Sequence, residues 1–334
     1  MKEALYYKKA EDGIVKCKLC PRFCIIKPDK QGLCGVRQNI KGKLFSLVYA
    51  RPCAVHVDPI EKKPLYHFMP GARAFSIATI GCNFFCGFCQ NWQISKADAG
   101  NIEKQYDELR PERVVELCKE NNCDIISYTY TEPTIFYEYM LDIAKLAKEQ
   151  GIKNTIVSNG YINEKPLREL CRVLDGANID LKAFTNDFYK KVCKGTLKPV
   201  LRSLRILKEE GVWLEVTNLV VPGLNDDFEK IEEMCKWIAK ELGRDVPLHF
   251  SRFHPDYMMT DSEPTPLKSL EKAKEIAEKY LDYVYLGNVW GESNTLCPKC
   301  RAVVIKRDML SLVDNKLVSG RCPECNERIA GVFR

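Results

Sequence analysis

Three cysteines on one short stretch carry the most specific chemistry in this chain. Residues 80–91 read I-G-C-N-F-F-C-G-F-C-Q-N, which sets Cys82, Cys86 and Cys89 in a C-x-x-x-C-x-x-C spacing. The stretch follows an apolar, strand-like run at Ala74–Ile80. Soft thiolate sets of this kind suit iron–sulfur clusters and zinc. No further cysteine follows before Cys118, so a four-iron cluster held here would keep one corner for another ligand. With 17 cysteines in 334 residues, the spacing is expected by chance about 0.04 times per chain.

Two more clumps bracket this loop. Cys17, Cys20, Cys24 and Cys34 lie in the segments C-K-L-C-P-R-F-C (17–24) and G-L-C-G-V-R (32–37). Four thiolates satisfy a tetrahedral zinc site and can hold a small knuckle folded. A second [4Fe–4S] cluster is the rival, with zinc favoured. Cys297-Pro-Lys-Cys300 and Cys322-Pro-Glu-Cys325 are paired C-P-x-C knuckles with short strand-like runs between them, at 302–305 and 310–318. That is a zinc-ribbon pattern, and a rubredoxin-like iron site would use the same ligands. The scattered Cys53, Cys118, Cys123, Cys171, Cys193 and Cys235 read mostly as small buried apolar residues.

Strand–helix alternation from Ala74 onward supplies the elements that must position the cysteine loop, and it predicts a parallel α/β sheet or barrel. The expected strands are 74–80, 124–129, 154–158, 176–181, 212–221 and 246–253, with 283–287 closing. The clearest helix is 226–242, with Phe228, Ile231, Met234, Cys235, Ile238 and Leu242 on one face. Helices are also expected at 135–149 and 268–281. Asn163 before Glu164-Lys165-Pro166 reads as an N-cap with proline in the first turn. Six βα units fit the available length. In such folds ligands sit at the C-terminal strand ends. Polar segments stand at those ends. They are Tyr128-Thr129-Tyr130-Thr131-Glu132-Pro133, Ser158-Asn159-Gly160, Asp180-Leu181-Lys182, Val220-Val221-Pro222-Gly223-Leu224-Asn225 and His249-Phe250-Ser251-Arg252-Phe253-His254-Pro255.

The expected organisation is a Cys-rich N-terminal cap (1–73), a barrel (74–290) and a zinc-ribbon-like unit (291–334). Within the cap, 48–58 and 63–71 read as irregular or strand segments packing it onto the barrel. A net charge of +6, interleaved along helices, permits nucleic-acid contact without arguing for it. No run of about 18 apolar residues predicts a membrane span. The first residues lack the apolar core of a signal peptide, so a cytoplasmic location is expected.

Assembled, these residues resemble the radical S-adenosylmethionine (SAM) superfamily, whose C-x-x-x-C-x-aromatic-C signature is matched by Cys82, Cys86, Phe88 and Cys89. The resemblance spans roughly residues 74–290 and is most specific at the loop. C-P-R-x-C, G-x-C-G-V-R, D-P-I-E-K-K-P-L-Y-H and H-F-S-R-F-H-P look like the pyruvate formate-lyase activating-enzyme-like branch, and within it the AmmeMemoRadiSam-system radical SAM enzyme. That implies a partial (β/α)6 TIM-like barrel. It implies a [4Fe–4S] cluster on Cys82, Cys86 and Cys89, with SAM on the open iron.

It also implies Phe88 beside the adenine, and Thr131-Glu132-Pro133 where relatives carry G-G-E-P, with carbonyls receiving the SAM amino group. Tyr130 and Thr131 replace the two glycines. Ser158 and Asn159 would sit near the methionine moiety or ribose, Lys182 on the SAM carboxylate, and Asp180 in a polar network. Val221 would border the adenine, and His254 the ribose. Reductive cleavage of SAM to a 5′-deoxyadenosyl radical, abstracting hydrogen from a protein or other large substrate, is the implied activity. An electron donor such as a flavodoxin or ferredoxin is implied, as are Memo-type and AMMECR-type partner proteins. The two knuckles would frame the barrel mouth or a docking surface. The alternatives are a glycyl-radical enzyme activase and a non-enzymatic zinc-ribbon adaptor. The adaptor leaves Cys82, Cys86 and Cys89 unexplained.

Overall fold

The computed structural model of the chain describes residues 1–100 and 102–333. The branched apolar runs form one eight-stranded sheet: β1 (Ala54–Pro59), β2 (Arg73–Ala78), β3 (Ile125–Tyr128), β4 (Lys153–Ser158), β5 (Gly176–Asp180), β6 (Trp213–Val220), β7 (Leu248–Arg252) and β8 (Val284–Gly287). Spatial order follows chain order. Every pair from β2 to β8 is parallel, and β1 runs antiparallel to β2. β1 and β8 form the two edges and do not pair with each other, so the barrel of six βα units is open. Parallel strands covered on both faces read as continuous apolar runs, and all four residues of β3 are buried. The sheet starts earlier than the alternation suggested, because β1 lies upstream of Ala74.

The crossover helices are α1 (Pro111–Glu120), α2 (Tyr137–Glu149), α3 (Glu164–Cys171), α4 (Leu197–Glu209), α5 (Phe228–Glu241) and α6 (Leu267–Ala277). In α5, Ile231, Met234, Cys235 and Ile238 are buried at i, i+3, i+4 and i+7. Burying each such side chain stabilises by about 1.5–3 kcal/mol. Asp227 caps the helix by accepting from the N–H groups of Glu229 (2.9 Å) and Lys230 (3.3 Å). Phe228 departs from expectation. It occupies the first turn beyond the packed stripe and is 39% exposed. Asn163 precedes α3 as expected but does not cap it with its side chain. Its Nδ2 donates instead to the Lys18 carbonyl (2.8 Å), tying the N-terminal cap to the barrel.

That cap is built from two three-stranded sheets, 7–9/15–17/25–26 and 2–3/43–46/37–40. Arg37 fastens it to α2. Its guanidinium donates to both carboxylate oxygens of Glu138 (2.9 and 2.8 Å) at a site where both residues are buried.

Residues 60–72 fill the barrel from the N-terminal end of its strands. Glu215 on β6 accepts from the N–H groups of Tyr66 (3.0 Å) and His67 (2.8 Å), the Trp213 indole (3.0 Å) and the His249 imidazole (2.7 Å). Four donors satisfy a carboxylate that is otherwise costly to bury. The C-terminal ribbon, β9 (Thr295–Leu296), β10 (Val303–Asp308) and β11 (Ser311–Asn315), packs on this same end. Its core joins Tyr66, Tyr283 and Tyr285 to Val304, Ile305 and Ile329. The ribbon therefore does not frame the mouth with the N-terminal knuckle. The two lie at opposite ends of the sheet, because the ribbon's apolar face matches the aromatic residues before and within β8. Among the described residues, no helix is long and apolar enough to cross a membrane.

Candidate functional site

The cysteine loop leaves β2 through Gly81, whose φ of +98° few side chains tolerate. A Cβ there would meet Val36 Cγ1 at 2.7 Å and the Cys34 carbonyl oxygen at 2.8 Å, so the N-terminal cap presses directly on this turn. Side-chain amides flanking the cysteines clamp the loop to three strand ends. Asn83 donates to the Tyr161 carbonyl (2.9 Å) after β4. Asn91 donates to the Tyr130 carbonyl (2.8 Å) after β3. Gln90 donates to His254 Nδ1 (2.8 Å) after β7.

Beside the loop opens a cleft of about 530 Å³ at the C-terminal strand ends. Nine of the expected residues line it: Cys82, Cys86, Cys89, Phe88, Thr131, Glu132, Asn159, Asp180 and Lys182. Lys182 Nζ lies 2.9 Å from Asp180 Oδ2 and 5.7 Å from the centre of the Phe88 ring. Burial works against the Lys182 charge, but the Asp180 carboxylate beside it and the negative charge that Cys86 and Cys193 carry when ionised outweigh it and hold the ammonium's pKa well above its usual value. Phe88 packs in turn against Phe188, ring centres 6.1 Å apart. Asn159 donates to Asn83 Oδ1 (2.8 Å) and lies 3.9 Å from Cys82 Sγ.

Four expected residues stand outside the cleft wall. Ser158 lies beneath it and donates to Glu132 Oε1 (2.8 Å). Glu132 also accepts from the N–H groups of Thr134 (2.9 Å) and Asn159 (2.8 Å), so it joins the ends of β3 and β4. Burial raises its carboxyl despite these donors. Pro133 opens a 3₁₀ turn that lines a separate small cavity. Val221 is fully buried, with its N–H bound to Asn225 Oδ1 (2.6 Å). His254 reaches the cleft only through Gln90.

Tyr130 occupies the left-handed region, φ +65°. That conformation explains why glycine suits the position, and here the tyrosine is held by its surroundings. Its hydroxyl donates to Asp58, which also accepts from Lys62 (2.8 Å) and Lys63 (2.6 Å). Both lysines line the cleft. Sequence reasoning missed Gln90, Asn91, Lys62 and Lys63 as site residues, although the first two adjoin Cys89. Cys193, read there as a small buried apolar residue, is fully buried, and it also acts on Cys86, raising the pKa of that thiol.

The donor set fits a cluster better than a single ion. Among the described residues, only the C-terminal cysteines draw three or more metal-ligating side chains close enough for one ion. Cys82, Cys86 and Cys89 do not all lie within that distance of one another, which suits separate corners of a polynuclear centre. Hydrogen-bond donors already point at their sulfurs: Phe84 N to Cys82 Sγ at 3.4 Å, and Ser95 Oγ against Cys89 Sγ at 3.3 Å. Such bonds tune cluster potential. Burial pushes the Cys82 thiol up, and Cys193 together with burial pushes up Cys86, so loading a metal centre must release protons.

The C-terminal site is of the other kind. Cys297, Cys300, Cys322 and Cys325 hold their sulfurs within 4.8 Å of one another, with Cys297–Cys325 at 3.5 Å and Cys300–Cys322 at 3.6 Å. Tetrahedral coordination at a metal–sulfur distance of about 2.3 Å requires about 3.8 Å between sulfurs. The two knuckles repeat one geometry. Arg301 and Asn326, each just after a second cysteine, are left-handed (φ +64° and +60°), and each donates its N–H to the first cysteine's carbonyl at 2.9 Å.

The pattern of the radical SAM superfamily matches residues 76–238. An uncharacterized protein of Methanocaldococcus jannaschii is 47% identical over 98% of this chain and 99% of its own length. The pyruvate formate-lyase-activating enzyme of Clostridium pasteurianum is 26% identical over 64% of this chain and 91% of its own. In fold, the chain is similar to a radical SAM methyltransferase from Sphaerobacter thermophilus, with a TM-score of 0.51 at 14% identity over 66% of this chain and 68% of that one. Three thiols spread for a cluster at the mouth of an open six-unit barrel are accounted for by one membership: the chain is an enzyme of the radical SAM superfamily.

Proposed function

We propose that this enzyme acts on a protein or another large substrate, with a [4Fe–4S] cluster on Cys82, Cys86 and Cys89 and SAM in the adjoining cleft. The observation that carries the reading is the convergence of the three spread thiols, the Lys182–Asp180 pair and the ends of β3, β4 and β5 on one cleft. When bound, the cluster would supply the one electron that cleaves SAM to methionine and a 5′-deoxyadenosyl radical, and that radical would take a hydrogen atom from the substrate. The chain's own residues bind and orient. Lys182 offers a desolvated ammonium for the SAM carboxylate, Thr131 and its neighbours offer carbonyls for the amino group, and Phe88 offers an apolar face for the adenine. Asn159 steadies the loop. Ser158 acts through Glu132, His254 through Gln90, and Val221 by packing, none touching the ligand directly.

The open edge between β1 and β8 supports a large substrate over a small enclosed one. The C-terminal site takes zinc, on the match of its sulfur spacing to a tetrahedral ion. A flavodoxin or ferredoxin supplies the electron, Memo-type and AMMECR-type proteins are its partners, and the setting is cytoplasmic. A glycyl-radical activase is the second reading, favoured by the similarity to an activating enzyme of that kind.

The test is anaerobic reconstitution, chemical reduction and chromatography for 5′-deoxyadenosine and methionine. Cleavage that persists in the Cys82→Ala/Cys86→Ala/Cys89→Ala variant would sink the proposal. A glycyl-radical EPR doublet, formed on mixing with a glycyl-radical enzyme, would select the second reading.

A further inference from the structure

Cys17, Cys20, Cys24 and Cys34 come from two segments of the N-terminal cap, yet all four line one enclosed cavity. Arg22, Arg37 and Asn83 also line it, along with Leu19, Ile26 and Ile135. The four thiols are not gathered as the C-terminal four are. Among the described residues, only the latter set is drawn within the 4.8 Å that one ion needs. The same chain thus shows one set drawn together and one set placed around a small cavity of about 20 Å³. Thiols lining a cavity are what a polynuclear iron–sulfur centre requires, since its cysteines bind separate irons.

A second observation points to a missing ligand. Arg37 is 2% exposed, and its Nε–H has no hydrogen-bond partner although both of its terminal nitrogens are used. Arg22 Nη2 is likewise buried and unpartnered. Two guanidinium donors left unsatisfied at the wall of a four-thiol cavity are costly alone. They are matched by an anionic group with sulfur acceptors. Four thiolates around a [4Fe–4S] core carry net negative charge, and N–H groups directed at cluster sulfurs are a usual way of stabilising it.

We propose that Cys17, Cys20, Cys24 and Cys34 hold a second [4Fe–4S] cluster and not the zinc ion that their spacing suggests. The two centres share a wall. Asn83 lines this cavity and, by sequence, adjoins Cys82, while the Cys34 carbonyl packs on Gly81.

The experiment is metal and acid-labile sulfide analysis of the full-length protein after anaerobic reconstitution, with EPR after reduction. Wild type is expected to hold about eight irons, eight sulfides and one zinc per chain. The Cys82→Ala/Cys86→Ala/Cys89→Ala variant leaves the cap intact and should keep half the iron and the EPR signal of a reduced [4Fe–4S] cluster. Cys20→Ser/Cys34→Ser should lose the same half. If that variant fails to fold, the triple variant decides alone. About four irons with either one or two zincs in wild type, or no iron in the triple variant, overturns the proposal. The site assignment rests on the reading of the first centre only for its neighbour. Eight irons without SAM cleavage would reject the proposed function and leave the second cluster standing.

Discussion

Asn159 on the end of β4 donates to Oδ1 of Asn83 over 2.8 Å, and the same amide lies 3.9 Å from the sulfur of Cys82. One side chain therefore fixes the cysteine loop and reaches the Cys82 sulfur. Replacing it with leucine leaves a buried acceptor on Asn83 unpaired, at a cost of about 1–3 kcal/mol. It also removes a polar donor from the cluster's surroundings. Asn159→Leu is expected to retain iron, unfold at lower denaturant, and show a more negative cluster midpoint potential in a redox titration. An unchanged potential would mean the amide only holds the loop.

Lys182 pairs in the cleft with the carboxylate of Asp180, on the same strand end, at 2.9 Å. Breaking a charge-assisted hydrogen bond costs about 1.5–3 kcal/mol, or about 10–100-fold in affinity. Lys182→Met should bind SAM more weakly by that factor in equilibrium dialysis while its iron content stays that of wild type. Equal affinity for SAM would remove Lys182 from the carboxylate site.

The elements that hold the cleft were legible because each strand from β2 to β8 is a short apolar run ending in polar residues, and α5 keeps a clean i, i+3, i+4 stripe. The signature thiols were legible because their spacing is local. What escaped was long-range. His67 and Glu215 are 148 residues apart, and nothing in either segment announces that residues 60–72 plug the barrel beneath β6. The same holds for the ribbon, whose position depends on Tyr283 and Tyr285 facing it. The effect of Cys193 on the Cys86 thiol is long-range too, since Cys86 lies more than a hundred residues earlier. For the N-terminal four, spacing reports how many thiols can meet and says little about how widely, so zinc and a second cluster both stay open from sequence.

The ribbon's metal is a structural group at the far end from the cleft. Cys300 is exposed, which leaves the site open to a chelator. Stripping the ion, or making Cys322→Ser/Cys325→Ser, should free the strands that cover Tyr66, Tyr283 and Tyr285 and lower Tm by roughly 5 °C or more. Iron content should not change. Loss of iron in parallel with the ribbon's metal, measured on the same samples, would contradict the separation of the two sites.

His67 sets an acid limit on stability. Burial is the main cause of its depressed pKa, about 4 against 6.5, although Glu215 pulls the other way. Its Nδ1 donates to the Ala330 carbonyl (2.6 Å), and its Nε2 accepts from the Tyr285 hydroxyl (2.6 Å), a pairing that needs the neutral ring. Between pH 6.5 and 4 the unfolded chain therefore takes up a proton that the folded chain refuses. Stability is full above about pH 6.5 and falls as pH drops through that window, by on the order of 3 kcal/mol at its lower end. Denaturant midpoints measured from about pH 7 to about pH 4.5 should fall steeply in wild type and less steeply in His67→Gln, which keeps polar atoms but cannot titrate. Parallel slopes for the two proteins would assign the acid sensitivity to other groups.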